Sequence, residues 1–190
     1  MNLPNKLSLL RVLLIPVMVL LMYIPGIPCI FLSTAVFGAA AITDFLDGYI
    51  ARRDNLVTDF GKFIDPVADK LLTLSAMIML TRAGQMPYFV VLLILARELA
   101  VDGLRMVAVG QGRVIAAGNL GKIKTASQMV VIVFLMLIGR LAPMLPEALA
   151  FVRLPVKIVG WLGCAWIAAI TVWSGVDYFL RNRDCISNVK

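Results

Sequence analysis

The sequence predicts an all-α integral membrane protein with six transmembrane helices, forming one membrane-embedded domain over residues 1–190. Three observations lead to this fold class: 61% of the 190 residues are apolar, only 15% are charged, and the mean hydropathy is +0.94. Soluble domains carry about 25% charged residues. Because one transmembrane helix takes about 20 apolar residues, the apolar residues suffice for about six spans and leave no room for a separate soluble domain.

Six apolar segments carry the predicted helices. They cover residues 9–23, 29–51, 61–80, 87–109, 120–138 and 156–180, and Gly, Pro or charged residues separate them. The first segment follows Lys6 but has no small-residue cleavage site behind it, so we interpret it as a span and not as a signal peptide. The third helix begins either near Gly61 or at Pro66, because the residue before a proline is pushed out of the helical region.

The basic residues predict the orientation in the membrane, since cytoplasmic loops are rich in Lys and Arg. With a cytoplasmic N-terminus, most basic residues fall on the cytoplasmic side. The opposite side receives only Arg82, Arg140, Arg153 and Lys157. Both termini are then cytoplasmic, because the number of spans is even. The net charge of +7 follows from this bias, and its spread over several loops argues against nucleic-acid binding.

The residue types restrict any metal site to oxygen ligands. The chain has no histidine, and its three cysteines, Cys29, Cys164 and Cys185, form no CxxC pair. We interpret them as two buried small residues and one tail thiol. Oxygen ligands favour Mg²⁺, Mn²⁺ or Ca²⁺ over a thiolate zinc site.

Four aspartates lie inside the second and third predicted spans. Asp44 and Asp47 are about one helical turn apart, as are Asp65 and Asp69, so each pair shares a helix face. The short connection predicts antiparallel neighbouring helices, which brings the four carboxylates together near the cytoplasmic interface. Such carboxylates are costly in a membrane and repel one another, unless they are protonated or divalent cations offset their charge. For any single aspartate the alternative is helix capping, or ion pairing with Arg52, Arg53 or Lys70.

These residues resemble the signature of the CDP-alcohol phosphatidyltransferase family, D-x-x-D-G-x-x-A-R-x8-G-x-x-x-D-x-x-x-D. All of its fixed positions are present between Asp44 and Asp69. The six-span plan is similar to that family as well, so the resemblance implies the family's fold. It also implies Mg²⁺- or Mn²⁺-dependent chemistry, in which an alcohol displaces CMP from a CDP-linked lipid, and a homodimer.

The resemblance assigns roles to individual residues. Asp69 would be the general base that takes the proton from the acceptor hydroxyl. The implied metal ligands are Asp44, Asp47, Asp65 and Asp69. The residues implied to bind the cytidine diphosphate are Asp44, Asp47, Gly48, Ala51, Arg52, Gly61 and Asp65. We expect a direct displacement, because no Ser or Cys nucleophile has an evident base beside it.

The fourth and fifth spans predict a basic pocket beside the aspartates. Its candidate residues are Arg97, Arg105, Lys122, Lys124, Thr125 and Gln128. Cationic side chains at such a site indicate an anionic, phosphorylated acceptor. Two alternatives remain open: Arg105 and Lys122 contact lipid phosphates, and Arg97 pairs with Glu98 or Asp102.

Three segments bear on the acceptor. Residues 2–11, 97–99 and 121–128 resemble the corresponding segments of bacterial family members that use glycerol 3-phosphate. This implies CDP-diacylglycerol and glycerol 3-phosphate as substrates and phosphatidylglycerol phosphate as product. Inositol phosphate and phosphatidylglycerol are the alternative acceptors. A divalent-cation transporter is a further alternative, which the absence of paired broken segments disfavours.

Overall fold

The computed structural model describes the backbone of residues 3–53, 59–113, 115 and 118–184, and the side chains of residues 8–43, 67–113, 115 and 118–184. Helices occupy all six predicted positions, and no strand occurs among the described residues, which confirms the all-α class. The six long helices are α1 (Leu3–Tyr23), α2 (Ile27–Arg53), α3 (Asp59–Arg82), α4 (Tyr88–Gly110), α5 (Asn119–Phe134) and α6 (Arg153–Arg181).

Glycines in the left-handed region end two of these helices. Gly84 follows α3 with φ 69°, and the amide of Gln85 donates to the carbonyl of Leu80 over 2.9 Å. Gly112 follows α4 with φ 72°, and the amide after it closes the same kind of turn. Glycine adopts this conformation without the steric penalty of a Cβ. At the other end of α3, the helix begins at Asp59, so the alternative start at Pro66 is wrong.

The segment between α5 and α6 departs from regular α-helix. The chain continues from α5 as a π-helical turn, Leu135–Gly139, and then forms two 3₁₀ helices, Ala142–Met144 and Glu147–Val152. Two stretches of the described chain, Asn119–Met144 and Glu147–Arg181, are long and apolar enough to cross a membrane. Ser8–Tyr23 and Ile27–Thr43 are shorter apolar helices. By length and composition the described residues thus include two clear spans, and the arrangement with six spans stays a prediction.

The core unites all six helices in one bundle. α1 packs against α2 and α3, while α6 packs against α4 and α5. The largest group of buried apolar side chains includes, in chain order, Met18, Phe37, Leu72, Ile94, Ile132 and Ile167. A second, smaller group joins the C-terminal ends of α4 and α6 through Val101, Leu104, Ala108 and Tyr178. This second group supports the end of the bundle at which the candidate site lies.

The outside of the bundle is apolar on every helix. Large apolar side chains are more than half exposed at Leu20, Ile42, Ile78, Met106, Val130 and Trp173. Exposed apolar surface of this extent is typical of proteins that face lipid or a partner, and not of soluble monomers.

Candidate active site

A cavity of about 150 Å³ lies between α3, α4 and α5, and we call it the inner cavity. Asp69 of α3, which is half-buried, lines it together with Glu98 of α4 and Lys124 and Gln128 of α5. Apolar side chains such as Met77 form the rest of its wall. The predicted general base therefore lines the same small cavity as three residues of the predicted acceptor pocket, Lys124, Thr125 and Gln128.

Glu98 holds the buried cation of the inner cavity. Lys124 is only 2% exposed and donates a hydrogen bond to the Oε1 atom of Glu98. The guanidinium of Arg97 lies 3.5 Å from the same oxygen. Because a buried cation needs an opposite charge, Glu98 is what allows both cations to lie here. From the sequence, Glu98 was predicted only as an alternative partner of Arg97 and not as a residue of the site.

A second cavity, of about 670 Å³, lies between α4, α5 and α6, and we call it the large cavity. Its cationic lining comes from Arg97, Arg105 and Lys122. Glu98 and Thr125 line both cavities and form their common wall. The structure therefore divides the predicted acceptor pocket, because Lys124 and Gln128 lie with Asp69 while the remaining cations lie in the large cavity.

Two glycines make room for Arg97 between α5 and α6. A Cβ atom at Gly175 would lie 3.2 Å from the Cγ atom of Arg97, and one at Gly121 would lie 3.5 Å from its Nη2 atom. The Arg97 side chain is 13% exposed. Its aliphatic part thus passes close to α6, and its guanidinium reaches the start of α5.

Arg105 is held in the large cavity by α6. Its Nε atom donates to the hydroxyl of Tyr178 over 3.1 Å, and its guanidinium lies 5.7 Å from the centre of the same ring. Tyr178 was not among the residues predicted from the sequence. The only available signal was a pair of polar residues, Asp177 and Tyr178, near the end of an otherwise apolar helix.

The large cavity is suited to an anion. The N-terminus of α5 lines it from Gly118 to Lys122, and a helix N-terminus presents amide groups and a partial positive charge. Arg97, Arg105 and Lys122 add full positive charges. Asp177 also lines the cavity, but its carboxylate accepts a hydrogen bond from Arg181 over 2.8 Å. A phosphate group is the kind of ligand that this combination favours.

Lys70 forms a further ion pair at this end of the bundle. Its ammonium group lies beside the carboxylate of Asp102 on α4. The pair joins α3 to α4 at the rim of the inner cavity, which Lys70 also lines. Lys70 therefore serves as an interhelical contact, and the carboxylate that it pairs with belongs to Asp102 of α4.

The remaining residues of the aspartate signature lie on α2 and α3, where the backbone is helical but the side chains are outside those described. They are Asp44, Asp47, Gly48, Ala51, Arg52, Gly61 and Asp65. Among the side chains that are described, no three acidic or cysteine residues come together as metal ligands. Cys29 and Cys164 are free thiols. Cys164 is buried as predicted, whereas Cys29 is only partly buried. Cys185 lies outside the described residues.

Comparison with known proteins gives consistent matches. The family profile of the CDP-alcohol phosphatidyltransferases matches residues 1–173. The chain is 40% identical to the CDP-diacylglycerol–glycerol-3-phosphate 3-phosphatidyltransferase of Bacillus subtilis, over 97% of each chain. It is 38% identical to a probable phosphatidylglycerophosphate synthase of Mycobacterium tuberculosis, over 100% of this chain and 85% of that one. Against the Escherichia coli protein with the same name as the Bacillus one, the identity is 41% over 71% of this chain and 76% of that one.

Proposed function

The chain belongs to the CDP-alcohol phosphatidyltransferase family, and we propose that it transfers the phosphatidyl group of CDP-diacylglycerol to glycerol 3-phosphate. The products are CMP and phosphatidylglycerol phosphate. The observation that carries this choice of acceptor is the cationic large cavity, which shares a wall with the inner cavity that Asp69 lines. The names of the relatives point to the same acceptor.

The two cavities match the two ends of glycerol 3-phosphate. Its phosphate carries charge that suits Arg97, Arg105, Lys122 and the N-terminus of α5. Its attacking hydroxyl must reach Asp69 in the inner cavity, which shares the lining residues Glu98 and Thr125 with the large cavity. Thr125 supplies a hydroxyl group at this wall. Holding the acceptor at both ends converts an encounter between two molecules into an oriented reaction.

Asp69 is the proposed general base. It takes the proton from the acceptor hydroxyl as the oxygen attacks the phosphorus that bears the diacylglycerol. The new P–O bond forms on the acceptor, the bond from that phosphorus to CMP breaks, and CMP departs with the electron pair. A positioned carboxylate contributes typically 10²- to 10⁴-fold to such a proton transfer.

The aspartate signature is proposed to hold Mg²⁺ or Mn²⁺ through Asp44, Asp47, Asp65 and Asp69. Two features support this: all the donors are carboxylate oxygens, which hard divalent cations prefer, and the helical backbone of α2 and α3 places each pair about one turn apart. When bound, the metal offsets the charge of the pyrophosphate. The proposed residues for the cytidine diphosphate are Asp44, Asp47, Gly48, Ala51, Arg52, Gly61 and Asp65.

The proposed membrane arrangement has six spans, with both termini and the active site facing the cytoplasm, in one domain over residues 1–190. The apolar outer surface on all six helices supports it. A homodimer is proposed on family grounds. Reporter fusions after α3 and after α4 test the arrangement, because the first connection is then external and the second cytoplasmic.

The test of the reaction uses purified protein in detergent with CDP-diacylglycerol, glycerol 3-phosphate and Mg²⁺. We expect CMP release that requires all three and stops on chelation. Omission of glycerol 3-phosphate, or its replacement by inositol phosphate or phosphatidylglycerol, should abolish release. CMP release that is equally fast with one of these replacements would overturn the proposed acceptor, and release that resists chelation would overturn the metal site.

A further inference from the structure

A second basic cavity lies at the other end of the bundle, and we call it the opposite cavity. It has a volume of about 330 Å³ and lies between the α3–α4 turn, the π-helical turn and the start of α6. Arg153 lines it, whereas Asp177 of the large cavity lies 24 residues further along α6, about 36 Å away at 1.5 Å per residue. The opposite cavity therefore has no part in the proposed reaction.

Two cations on consecutive turns of α6 face the opposite cavity. Arg153 is fastened, because its guanidinium donates to the carbonyl of Leu145 over 2.5 Å and to Glu147 over 3.3 Å. Its Nε atom is nevertheless buried without a hydrogen-bond partner. Lys157 is exposed and forms no ion pair in the described part of the chain. The opposite cavity is thus lined by one cation that the protein holds in place, Arg153, and by one without an ion-pair partner among the described residues, Lys157.

The other basic residues at this end join helices to one another. The guanidinium of Arg82 lies 3.9 Å from the centre of the Tyr23 ring. Arg140 donates to the carbonyl of Met22 over 2.9 Å and to the hydroxyl of Ser33 over 3.3 Å. Because these contacts already account for Arg82 and Arg140, the positive charge of Lys157 and the free Nε group of Arg153 stand out as the groups that lack a protein partner.

Glycines bring further groups into the opposite cavity. A Cβ atom at position 139 would lie 2.8 Å from the Oε1 atom of Gln85, and one at position 160 would lie 2.9 Å from a methyl carbon of Leu135. Only glycine at these positions lets the two side chains pack as they do. The carboxamide of Gln85 consequently reaches the cavity, where its amide group can donate to an anion.

The surface around the opposite cavity is apolar. Phe151, Leu154 and Leu162 are 72%, 65% and 64% exposed, and Trp161, which lines the cavity one turn beyond Lys157, is 49% exposed. Tryptophan and basic side chains together are typical of the membrane–water interface. A ligand that enters across such a surface comes from the lipid and not from bulk water.

We propose that the opposite cavity binds the phosphate headgroup of an anionic phospholipid, on the membrane face away from the active site. Arg153, Lys157 and Gln85 contact the phosphate, while Trp161 and the apolar rim contact the glycerol and upper acyl region. Basic pockets between membrane helices bind anionic headgroups in this manner. The inference rests on the proposed membrane arrangement but is independent of the transfer reaction.

The test measures fluorescence quenching of Trp161 by brominated lipids. A variant with Trp166→Phe and Trp173→Phe retains Trp161 alone, and is reconstituted in vesicles of dibrominated phosphatidylglycerol or dibrominated phosphatidylcholine mixed with unbrominated phosphatidylcholine. We expect stronger quenching by the anionic lipid at equal mole fraction. Lys157→Gln in the same background should reduce that preference about fivefold, the effect of one basic residue at a lipid surface. The matched control retains Trp173 alone, in the other half of α6, and should show no preference that depends on Lys157.

Three results would overturn the proposal. The first is equal quenching of Trp161 by the two brominated lipids, and the second is a preference that Lys157→Gln leaves unchanged. The third is a response of Trp161 to inorganic phosphate in phosphatidylcholine vesicles that Lys157→Gln removes, because this would assign the cavity to a soluble anion. None of these measurements involves CMP release, so failure of this inference and failure of the proposed reaction are distinguishable.

Discussion

The large cavity and the opposite cavity lie near the two ends of α6, and both contain basic residues, but their cations are held differently. In the large cavity Arg97 lies beside Glu98, and Arg105 donates to Tyr178. In the opposite cavity Lys157 has no ion-pair partner among the described residues. The first arrangement fixes the directions of Arg97 and Arg105 before a ligand arrives, whereas the second leaves the charge of Lys157 to be satisfied by the ligand.

This difference has a physical reason in what each end has to bind. A phosphorylated acceptor must be oriented to within fractions of an ångström if its hydroxyl is to meet a base and a phosphorus atom. Cations that are buried for this purpose need internal acids, because an unpaired buried charge is strongly unfavourable. A lipid headgroup at an interface needs no such orientation. Substitution of the partly buried acid Glu98 should therefore affect both stability and kinetics, whereas substitution of the exposed Lys157 should affect neither strongly.

The largest expected effect comes from Asp69→Asn. Loss of the base should reduce kcat for CMP release about 10³-fold while the protein remains folded, because the amide is isosteric with the carboxylate. The matched control is Asp102→Asn, which removes an acidic charge from the rim, where Asp102 pairs with Lys70. It should leave kcat nearly unchanged, because Asp102 does not line the inner cavity and takes no part in the proposed proton transfer. An equal loss of kcat in both variants would mean that Asp69 contributes only negative charge at this end of the bundle and does not act as the base.

Glu98→Gln should weaken both folding and acceptor binding. It leaves Lys124 buried without an opposite charge, which should lower the free energy of unfolding by about 3 kcal/mol and raise the KM for glycerol 3-phosphate. The measurements are thermal unfolding in detergent and steady-state kinetics.

The double variant Glu98→Gln with Lys124→Met distinguishes the two roles of this ion pair. Removal of the buried cation should restore most of the lost stability but not the KM, because the acceptor pocket stays altered. A double variant that is as unstable as the single one would contradict the view that the unpaired charge of Lys124 is the cause of the instability.

Tyr178→Phe should produce a smaller effect that is confined to the acceptor. The change removes the hydroxyl that accepts from Arg105 over 3.1 Å but keeps the ring beside the guanidinium. The value of one such hydrogen bond, about 1 kcal/mol, corresponds to a rise of about fivefold in the KM for glycerol 3-phosphate with kcat nearly unchanged. Arg113→Gln, an exposed loop residue near the same end, is the control and should leave the KM unaltered.

The positions of the helices were readable from the sequence, whereas the contacts between them were not. Apolar composition and glycines such as Gly84 and Gly112 mark where each helix ends, and this information is local. By contrast, Tyr178 and Arg105 are 73 residues apart, and nothing in the chain near either residue predicts their hydrogen bond. The π-helical turn Leu135–Gly139 was likewise missed, because its sequence continues the apolar run of α5.

In the candidate site, too, the sequence predicted which residues lie near one another but not how the helices pack around them. The sequence placed Arg97, Lys122 and Lys124 on one side of the bundle, as helix periodicity allows. It did not separate them into two cavities, because that depends on how closely α4 approaches α5 and α6. Gly121 and Gly175 permit this approach, but a glycine in a membrane helix predicts close packing without naming the partner.

The smallest expected effect, and the one that tests the comparison most directly, is that of Lys157→Gln. Because Lys157 is exposed and unpaired in the described structure, its replacement should change the free energy of unfolding by less than about 0.5 kcal/mol and leave kcat and both KM values as they are. Steady-state kinetics and thermal unfolding in detergent without anionic lipid check this. A marked change in the KM for glycerol 3-phosphate would show that the two ends of α6 are coupled. The opposite cavity would then influence acceptor binding and would not be a separate lipid contact.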